Sequence, residues 1–200
     1  MLKVGLTGSI AVGKSYVCAC LQELGAFVLD ADQTARDVVA PGSKGLALIA
    51  EKFGHDVLTE AGELDRARMG AIVFADETKR QLLNSIVHPL VFEAQDAWLA
   101  EKERENERGV AVIDAALMIE SYGYKRFTKL IVVWCEPQIQ LQRLMMRNNL
   151  SEAEAVKRIR AQLPQEEKKR YADFLIDTSG GFENTRRRTI EVFEQLKLLT

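Results

Sequence analysis

The sequence is poor in the residues that build disulfide frameworks and metal centres. Its 200 residues include three cysteines, Cys18, Cys20 and Cys135, and two histidines. An odd number of cysteines without a framework spacing argues against a disulfide scaffold. The C-x-C spacing of Cys18 and Cys20 is not typical of a zinc site, and only two histidines are present to complete one. We therefore expect free thiols and a reducing compartment.

The chain also lacks a large excess of either charge sign and lacks long apolar runs. A net charge of -2 gives no general attraction to nucleic acid. No apolar run approaches the roughly 20 residues that cross a bilayer, and the first residues lack the basic and apolar regions of a signal peptide. These features predict a cytoplasmic protein, which we expect to be a monomer, with no nucleic acid or membrane as a partner.

Short apolar runs alternate with helical patterns along the chain. A hydrophobic fraction of 47% is enough to form the core of one domain, residues 1–200. Strands are predicted at Leu2–Thr7, Ala26–Leu29, Val110–Ile113, Lys129–Trp134 and Phe174–Ile176. Apolar runs of this kind are typical of a parallel sheet that is covered on both faces. The order of elements therefore predicts a three-layer α/β sandwich with a five-stranded parallel sheet.

A long helical region separates the second and third predicted strands. Residues 31–108 carry apolar side chains at three- and four-residue spacing, interrupted by turn signals such as His88-Pro89. We expect a helical insertion over this range, with separate helices at Lys79–Val87 and Leu90–Lys102. An insertion of this length is large enough to bind a bulky small molecule, but it does not identify that molecule.

Residues Gly8–Ser15 match the phosphate-loop pattern G-x-x-x-x-G-K-[ST]. The matching segment follows a predicted strand and precedes a predicted helix, which is the context that the motif requires. Backbone N–H groups of such a loop, aided by the helix dipole, converge on phosphate oxygens. Lys14 is expected to contact the β- and γ-phosphates, and the Ser15 hydroxyl to ligate Mg²⁺. The predicted nucleotide-binding residues are Gly8, Ala11, Val12, Gly13, Lys14, Ser15 and Tyr16.

The phosphate loop predicts ATP and Mg²⁺ as cofactors. A GTPase is disfavoured because the chain has no N-K-x-D segment for guanine. The D-x-x-G sequence at Asp177–Gly180 follows the last predicted strand instead of the strand after the phosphate loop. We therefore interpret it as a strand end and a turn.

Three aspartates lie at the ends of predicted strands. Asp30 and Asp32 close the second strand, and Asp114 follows the third. The ligand crevice of a parallel sheet lies at the carboxyl ends of its strands. We predict Asp32 as the base or orienting group for an attacking hydroxyl, and Asp30 and Asp114 as metal ligands with Ser15. For Asp30 or Asp32 alone, the alternative is capping of a helix that begins near Gln33.

Basic side chains are concentrated in residues 138–170. Arg143 and Arg147 are four residues apart and therefore share one helix face. Phosphoryl transfer needs positive charge on the transferring group and exclusion of water, and a mobile lid that carries arginine supplies both. We predict a lid at residues 138–170, with Arg143 as a catalytic group. A solvated basic helix face is the alternative for each arginine.

Further short segments accompany the phosphate loop. They are Gly5–Ser15, Asp30–Asp32, Val39–Gly42, Phe53-Gly54, Gly62–Arg66, Leu83-Asn84, His88-Pro89, Leu117–Glu120, Ala172-Asp173 and Asp177–Gly180. Together they cover nearly the whole chain and resemble the dephospho-CoA kinase family. Many kinases share the phosphate loop, whereas the D-A-D strand end, the G-x-L-D-R turn and the L-N-x-x-x-H-P segment are more specific.

The resemblance implies transfer of a phosphoryl group from ATP, with Mg²⁺, to the 3′-hydroxyl of dephospho-CoA. It also implies a P-loop kinase fold with a helical CoA-binding insertion and a helical lid. By the same resemblance Asp32 lies near the accepting hydroxyl and Arg143 lies in the lid. Arg66 and His88 would shape the acceptor site. From the residues alone, a core or helix-capping role for His88 is an equal alternative.

Four positions depart from the usual sequence of that family. Ser9, Ala11 and Val12 replace Gly, Gly and Ser in the phosphate loop. Ala116 replaces Pro after the third strand. The remaining loop glycines and Lys14 are kept, so we expect nucleotide binding to survive. Two alternative functions stay open: a kinase for another small metabolite, and a noncatalytic ATP-binding switch.

Overall fold

A parallel sheet of five strands forms the centre of the first of two units in the computed structural model, which describes residues 1–200. This sheet unit contains residues 1–30 and 101–200, and the helical unit contains residues 31–100. The strands are β1 (Leu2–Thr7), β2 (Phe27–Asp30), β3 (Val110–Asp114), β4 (Lys129–Trp134) and β5 (Phe174–Asp177). Their order in the sheet is β2-β3-β1-β4-β5, and every neighbouring pair is parallel.

Eight helices lie between these strands, and a ninth follows the last strand. They are α1 (Lys14–Glu23), α2 (Ala31–Asp37), α3 (Lys44–Phe53), α4 (Arg66–Ala75), α5 (Glu77–Glu105), α6 (Pro137–Asn148), α7 (Glu152–Arg160), α8 (Gln165–Lys169) and α9 (Gly181–Lys197). Short 3₁₀ turns lie at His55–Val57 and Gly123–Arg126. None of the helices is long and apolar enough to cross a membrane.

The core of the sheet unit is aliphatic. The central strands contribute buried side chains such as Val4, Val112 and Ile131, and the same cluster includes Leu21 of α1 and Leu196 of α9. Full burial of a side chain of this size is worth about 1.5–3 kcal/mol. This packing fixes the carboxyl ends of the strands, from which the loops of the candidate site emerge.

The predicted α/β sandwich with its five-stranded parallel sheet is confirmed. All five predicted strands are present, and no strand end differs from its predicted position by more than one residue. Asp177 ends β5, one residue beyond the predicted end, and its carboxylate accepts a hydrogen bond from the N–H of Ser179 at 2.8 Å. The D-x-x-G sequence is therefore a strand end and a turn.

The predicted helix break at His88-Pro89 is wrong. α5 runs without interruption through 29 residues, with Pro89 inside it. A proline removes one backbone donor and crowds the preceding turn of a helix. The carbonyl group that loses its partner belongs to Ser85. Ser85 and Pro89 are both exposed, so water is available on this side of the helix. A helix of this length therefore tolerates the proline.

The helical unit has a small core of its own. Val39, Ile49, Val57 and Met69 are buried in it, and partly buried side chains of α4 and α5 pack against them. α3 is capped by Ser43, whose hydroxyl accepts the N–H of Leu46 at 3.1 Å.

Candidate active site

The phosphate loop connects the carboxyl end of β1 to the first turn of α1. Gly8 lies so close to β4 that an added Cβ would be 2.4 Å from the carbonyl oxygen of Val133. Gly13 has a φ of +90°, a conformation that glycine adopts without a steric penalty. α1 begins at Lys14, immediately after this turn. Its first N–H groups lack partners within the helix and are therefore suited to bind an anion.

Ala11 and Val12, two departures from the family sequence, fit the loop in different ways. Ala11 has a φ of +61°, a left-handed conformation that is uncommon for residues with a side chain. Val12 is 1% exposed and belongs to the core of the sheet unit. Its side chain therefore packs in the core, and only its backbone is available to bind a phosphate. The hydroxyl of Ser9, a third departure, donates to the carbonyl oxygen of Leu163 at 3.5 Å.

Lys14 and Asp114 form an ion pair next to the loop. Lys14 Nζ lies 2.7 Å from Asp114 Oδ1. The two side chains are 16% and 14% exposed, so water screens their attraction less than it would at the surface. The thiol of Cys18 donates to Asp114 Oδ2 at 3.5 Å. Burial, reinforced by the charge of Asp114, raises the pKa of Cys18, so this thiol remains a proton donor to the carboxylate.

Oxygen-bearing side chains line a cavity beside Asp114. Asp30 and Asp114 are register partners on the neighbouring strands β2 and β3. Together with Ser15 they line a cavity of about 230 Å³. No group of three or more His, Cys, Asp or Glu side chains could hold a metal ion by itself. One or two carboxylates are the usual protein share for Mg²⁺, which takes its other ligands from water and substrate phosphates. The residues present therefore fit a Mg²⁺ ion that binds with a nucleotide.

Arg143 is joined to the phosphate loop through Thr178. Its two terminal nitrogens donate to the hydroxyl and to the carbonyl oxygen of Thr178, both at 2.8 Å. The hydroxyl of Thr178 in turn donates to the carbonyl oxygen of Val12 at 2.7 Å. The positive charge of Arg143 is thus fixed close to the loop, on α6.

An apolar cavity of about 510 Å³ opens beside the loop. Its lining includes Tyr16, Arg143, Met146, Arg147 and Phe182. The rings of Tyr16 and Phe182 pack with centroids 4.8 Å apart, although the side chain of Phe182 is 73% exposed and that of Met146 85% exposed. Exposed apolar groups next to arginines are suited to a flat, polar aromatic group such as a nucleotide base.

A buried lysine supports the turn after β3. Lys168 is fully buried, and its ammonium lies 2.8 Å from Glu120. It also donates to the carbonyl oxygen of Ala116 at 2.7 Å, which accepts the hydroxyl of Thr7 at 3.2 Å as well. Burial lowers the pKa of Lys168, while Glu120 acts in the opposite direction. Hydrogen bonds therefore hold this turn at the position where Ala116 replaces the family's proline.

The structure brings most of the predicted site residues together in the sheet unit: the phosphate loop, Asp30, Asp114 and Arg143. Asp32, Arg66 and His88 belong to the helical unit. Asp32 is exposed in the first turn of α2, where the helix dipole favours a carboxylate.

Arg66 and His88 are also exposed. Arg66 is the first residue of α4. His88 lies inside α5, with its ring centroid 6.1 Å from that of Phe92. His88 is therefore neither a core residue nor a helix cap.

Sequence reasoning did not assign Cys18, Thr178, Phe182 or Lys168 to the candidate site. Thr178 is separated from its partner Val12 by 166 residues, and no local pattern connects the two. For Phe182 a signal was present, since a large apolar side chain in the first turn of a mostly polar helix is unusual.

We expect Gly8→Ala to destabilise the fold. The added methyl group would lie 2.4 Å from a backbone oxygen of β4, and the shift that relieves this clash costs about 1–3 kcal/mol. A loss of that size lowers Tm by about 2–4 °C for each kcal/mol.

Gly70→Ala is the matched control for Gly8→Ala. Nothing lies within 4 Å of a Cβ at Gly70, and alanine is the better helix former in α4. Thermal unfolding followed by circular dichroism should therefore show a lower Tm for the first variant only. Equal Tm values would contradict the tight packing of the loop against β4.

Comparison with known proteins finds similar chains over nearly the whole length. A family model described as dephospho-CoA kinase matches residues 2–184. The dephospho-CoA kinase of Listeria innocua is 44% identical over 194 residues, which cover 96% of each chain. A dephospho-CoA kinase structure from Campylobacter jejuni has 26% identity and a TM-score of 0.73, and the match covers 98% of this chain and 96% of that chain.

The fold itself is more widely shared. A shikimate kinase structure from Bacteroides thetaiotaomicron has 15% identity and a TM-score of 0.52, and the match covers 98% of both chains. At this identity the likeness concerns the fold alone.

Proposed function

The chain belongs to the dephospho-CoA kinase family, and on that premise we propose that it transfers the γ-phosphoryl group of ATP to the 3′-hydroxyl of dephospho-CoA. The products are ADP and coenzyme A, so the reaction completes coenzyme A synthesis. The observation that carries the proposal is the ion pair between Lys14, within the loop Gly8–Ser15, and Asp114, at the carboxyl end of β3. It places a phosphate-binding loop, a positive charge and an acidic strand end together.

ATP is the proposed donor, with its phosphates in the loop and its base in the apolar cavity. Lys14 exchanges its contact with Asp114 for the β- and γ-phosphates. Arg143 and Arg147, both on the cavity wall, add positive charge beside the nucleotide. Phosphoryl transfer requires little covalent chemistry from the protein, so fixed positive charge is its main contribution.

Phe182→Ala tests the position of the base. Loss of the ring should raise the KM for ATP about 5- to 30-fold, because stacking of a base on an aromatic ring is worth about 1–2 kcal/mol. The KM for dephospho-CoA should stay the same. Phe74→Ala removes a ring that is 92% exposed in the helical unit, and it should leave the KM for ATP unchanged. If both variants bind ATP like the wild type, the base does not use this cavity.

Mg²⁺ is proposed to bind with ATP next to Ser15, Asp30 and Asp114. The ion would neutralise charge that develops on the β- and γ-phosphate oxygens. The chain's own contribution is to present the Ser15 hydroxyl and the two carboxylates at the end of the sheet, and to release Asp114 from Lys14 when the phosphates arrive.

The acceptor is proposed to bind the helical insertion, residues 31–108. Asp32 would accept the proton of the 3′-hydroxyl as that oxygen forms its bond to the γ-phosphorus. The bond between the γ-phosphorus and the bridging oxygen breaks, and ADP leaves with the electron pair. The exposed side chains of Arg66 and His88 would hold anionic and polar groups of dephospho-CoA.

Residues 138–170 are proposed as the lid. Its two ends are held to the phosphate loop through Gln140 and Gln162, so the part between them is proposed to move. Arg143, already fixed beside the loop through Thr178, would supply its charge to the transferring group. We also propose that the enzyme acts in the cytoplasm as a monomer, on small molecules alone and without nucleic acid. All three cysteines are free thiols, which suits a reducing compartment.

ADP release in a coupled spectrophotometric assay tests the proposal against its alternatives. With Mg-ATP present, we expect rapid ADP release on addition of dephospho-CoA and a rate near background with shikimate. Equal release without any acceptor would favour the ATP-binding switch. Release that requires an acceptor other than dephospho-CoA would favour a kinase for another metabolite.

A further inference from the structure

Two glutamine side chains hold the backbone of Ile10 in the middle of the phosphate loop. The N–H of Ile10 donates to Gln162 Oε1 at 2.7 Å. The carbonyl oxygen of Ile10 accepts a hydrogen bond from Gln140 Nε2 at 2.8 Å. Gln162 and Gln140 are separated from Ile10 by 152 and 130 residues in sequence. Both backbone polar groups of this loop residue are therefore fixed by distant parts of the chain.

A third glutamine fixes the orientation of Gln140. Gln165 Nε2 donates to Gln140 Oε1 at 2.8 Å, and Gln165 Oε1 accepts the N–H of Cys135 at 3.1 Å. Since the oxygen of Gln140 is occupied, its amide nitrogen must face Ile10. Gln140 is only 2% exposed, so water competes little for these hydrogen bonds.

The segment that carries Gln162 is itself anchored. The N–H of Leu163 donates to Glu120 at 3.1 Å, and Glu120 pairs with the buried Lys168. The carbonyl oxygen of Leu163 accepts the hydroxyl of Ser9 at 3.5 Å. Gln162 therefore approaches the loop from a rigid support, and its bond to Ile10 can transmit that rigidity.

The next residue of the loop needs this support. Ala11 adopts a φ of +61°, which costs energy for any residue with a Cβ. A loop free at Ile10 could relax Ala11 to an ordinary conformation. That change would turn the following peptide groups away from the arrangement in which they converge on phosphates.

We propose that Gln162, together with Gln140 on the other polar group of Ile10, is a positioning residue that holds the phosphate loop in its anion-binding form before ATP arrives. This inference rests on the proposed function, because it takes the triphosphate of ATP as the ligand of the loop. Binding then spends no energy on ordering Ile10 and Ala11, which raises affinity without any direct contact between Gln162 and the phosphates.

Gln162→Leu removes the acceptor for Ile10 and keeps a side chain of similar size. The dissociation constant of ATP, measured by calorimetry, should rise about 5- to 10-fold, the effect of losing one partly buried hydrogen bond. The KM for ATP should rise by the same factor, and the KM for dephospho-CoA should not change. Gln195→Leu is the matched control, since Gln195 is exposed in α9, outside the phosphate loop and the lid, and should leave both constants at wild-type values.

A second substitution separates positioning from stability. Ala11→Gly removes the steric cost of the left-handed conformation, so adding it to Gln162→Leu should restore much of the ATP affinity. Gln162→Ala is measured in parallel, so that the positioning role can still be tested if Gln162→Leu folds poorly.

The outcomes distinguish the two levels of the proposal. Wild-type protein that binds ATP, together with folded Gln162 variants that bind it equally well, would overturn the positioning role alone. An equal loss of affinity for ATP and dephospho-CoA, not restored by Ala11→Gly, would also overturn it in favour of a general structural role. Wild-type protein that does not bind ATP would overturn the proposed function and this inference with it.

Discussion

Lys14→Ala is expected to lower kcat/KM for ATP by about 10²- to 10³-fold, the usual effect of removing one group that stabilises charge in a transition state. Lys14 is the residue of the phosphate loop that is paired with Asp114 at 2.7 Å. Its loss removes the point charge proposed for the β- and γ-phosphates. It also leaves the Asp114 carboxylate, which is 14% exposed, to repel an incoming anion. Both effects act on nucleotide binding and on phosphoryl transfer.

Lys129→Ala is the control for Lys14→Ala. Lys129 also forms a lysine–aspartate pair, with Asp173 at 2.9 Å, but it lies at the amino end of β4, opposite to the carboxyl ends that carry the site. Steady-state kinetics should therefore show wild-type kcat/KM for this variant. A Lys14→Ala enzyme with unchanged kinetics would refute the phosphate-binding role of the loop.

Asp32→Asn is expected to lower kcat by about 10²- to 10⁴-fold, the range that general base catalysis contributes. The amide keeps the size of the side chain but cannot accept the proton of the 3′-hydroxyl. Because Asp32 is exposed in the first turn of α2, the substitution should change Tm little, and the KM for ATP should stay near its wild-type value.

Two further variants make the assignment of the base specific. Asp37→Asn changes an exposed aspartate at the other end of α2, and turnover should be unaffected. Asp30→Asn should raise the Mg²⁺ concentration needed for half-maximal rate, in keeping with a metal-ligand role. If Asp32→Asn turns over normally and Asp30→Asn is the inactive variant, the base is Asp30.

The phosphate loop and the sheet were predictable because their signals are local. A short apolar run marks each strand, and the loop pattern Gly8–Ser15 specifies both its glycines and its lysine. The carboxyl ends of parallel strands meet at one edge, so Asp30 and Asp114 were expected at the same edge of the sheet. That β2 and β3 are neighbours, which makes the two aspartates register partners, is known only from the structure.

The helix break expected at Pro89 was wrong for a physical reason. A proline signals the loss of one hydrogen bond, whereas the cost of that loss depends on whether water can reach the freed carbonyl group. Pro89 is exposed within a long helix. Its surroundings, which the sequence does not reveal, decide that α5 continues.

The supports of the loop were not predictable at all. Thr178, Gln162 and Lys168 act through hydrogen bonds to residues far away in the sequence. Each is a polar residue, and the hydrophobic pattern around it in the sequence does not distinguish a buried position from an exposed one. Only the fold reveals that Lys168 is buried against Glu120 and the carbonyl group of Ala116.

The most direct measurement is identification of the product after incubation of the purified protein with Mg-ATP and dephospho-CoA. Chromatography with mass spectrometry should find coenzyme A and ADP in equal amounts, and phosphorus NMR should place the new phosphate on the 3′-oxygen of the ribose. The Lys14→Ala variant should form neither product at a comparable rate. ADP without coenzyme A, or a phosphate on any other oxygen, would contradict the proposed reaction.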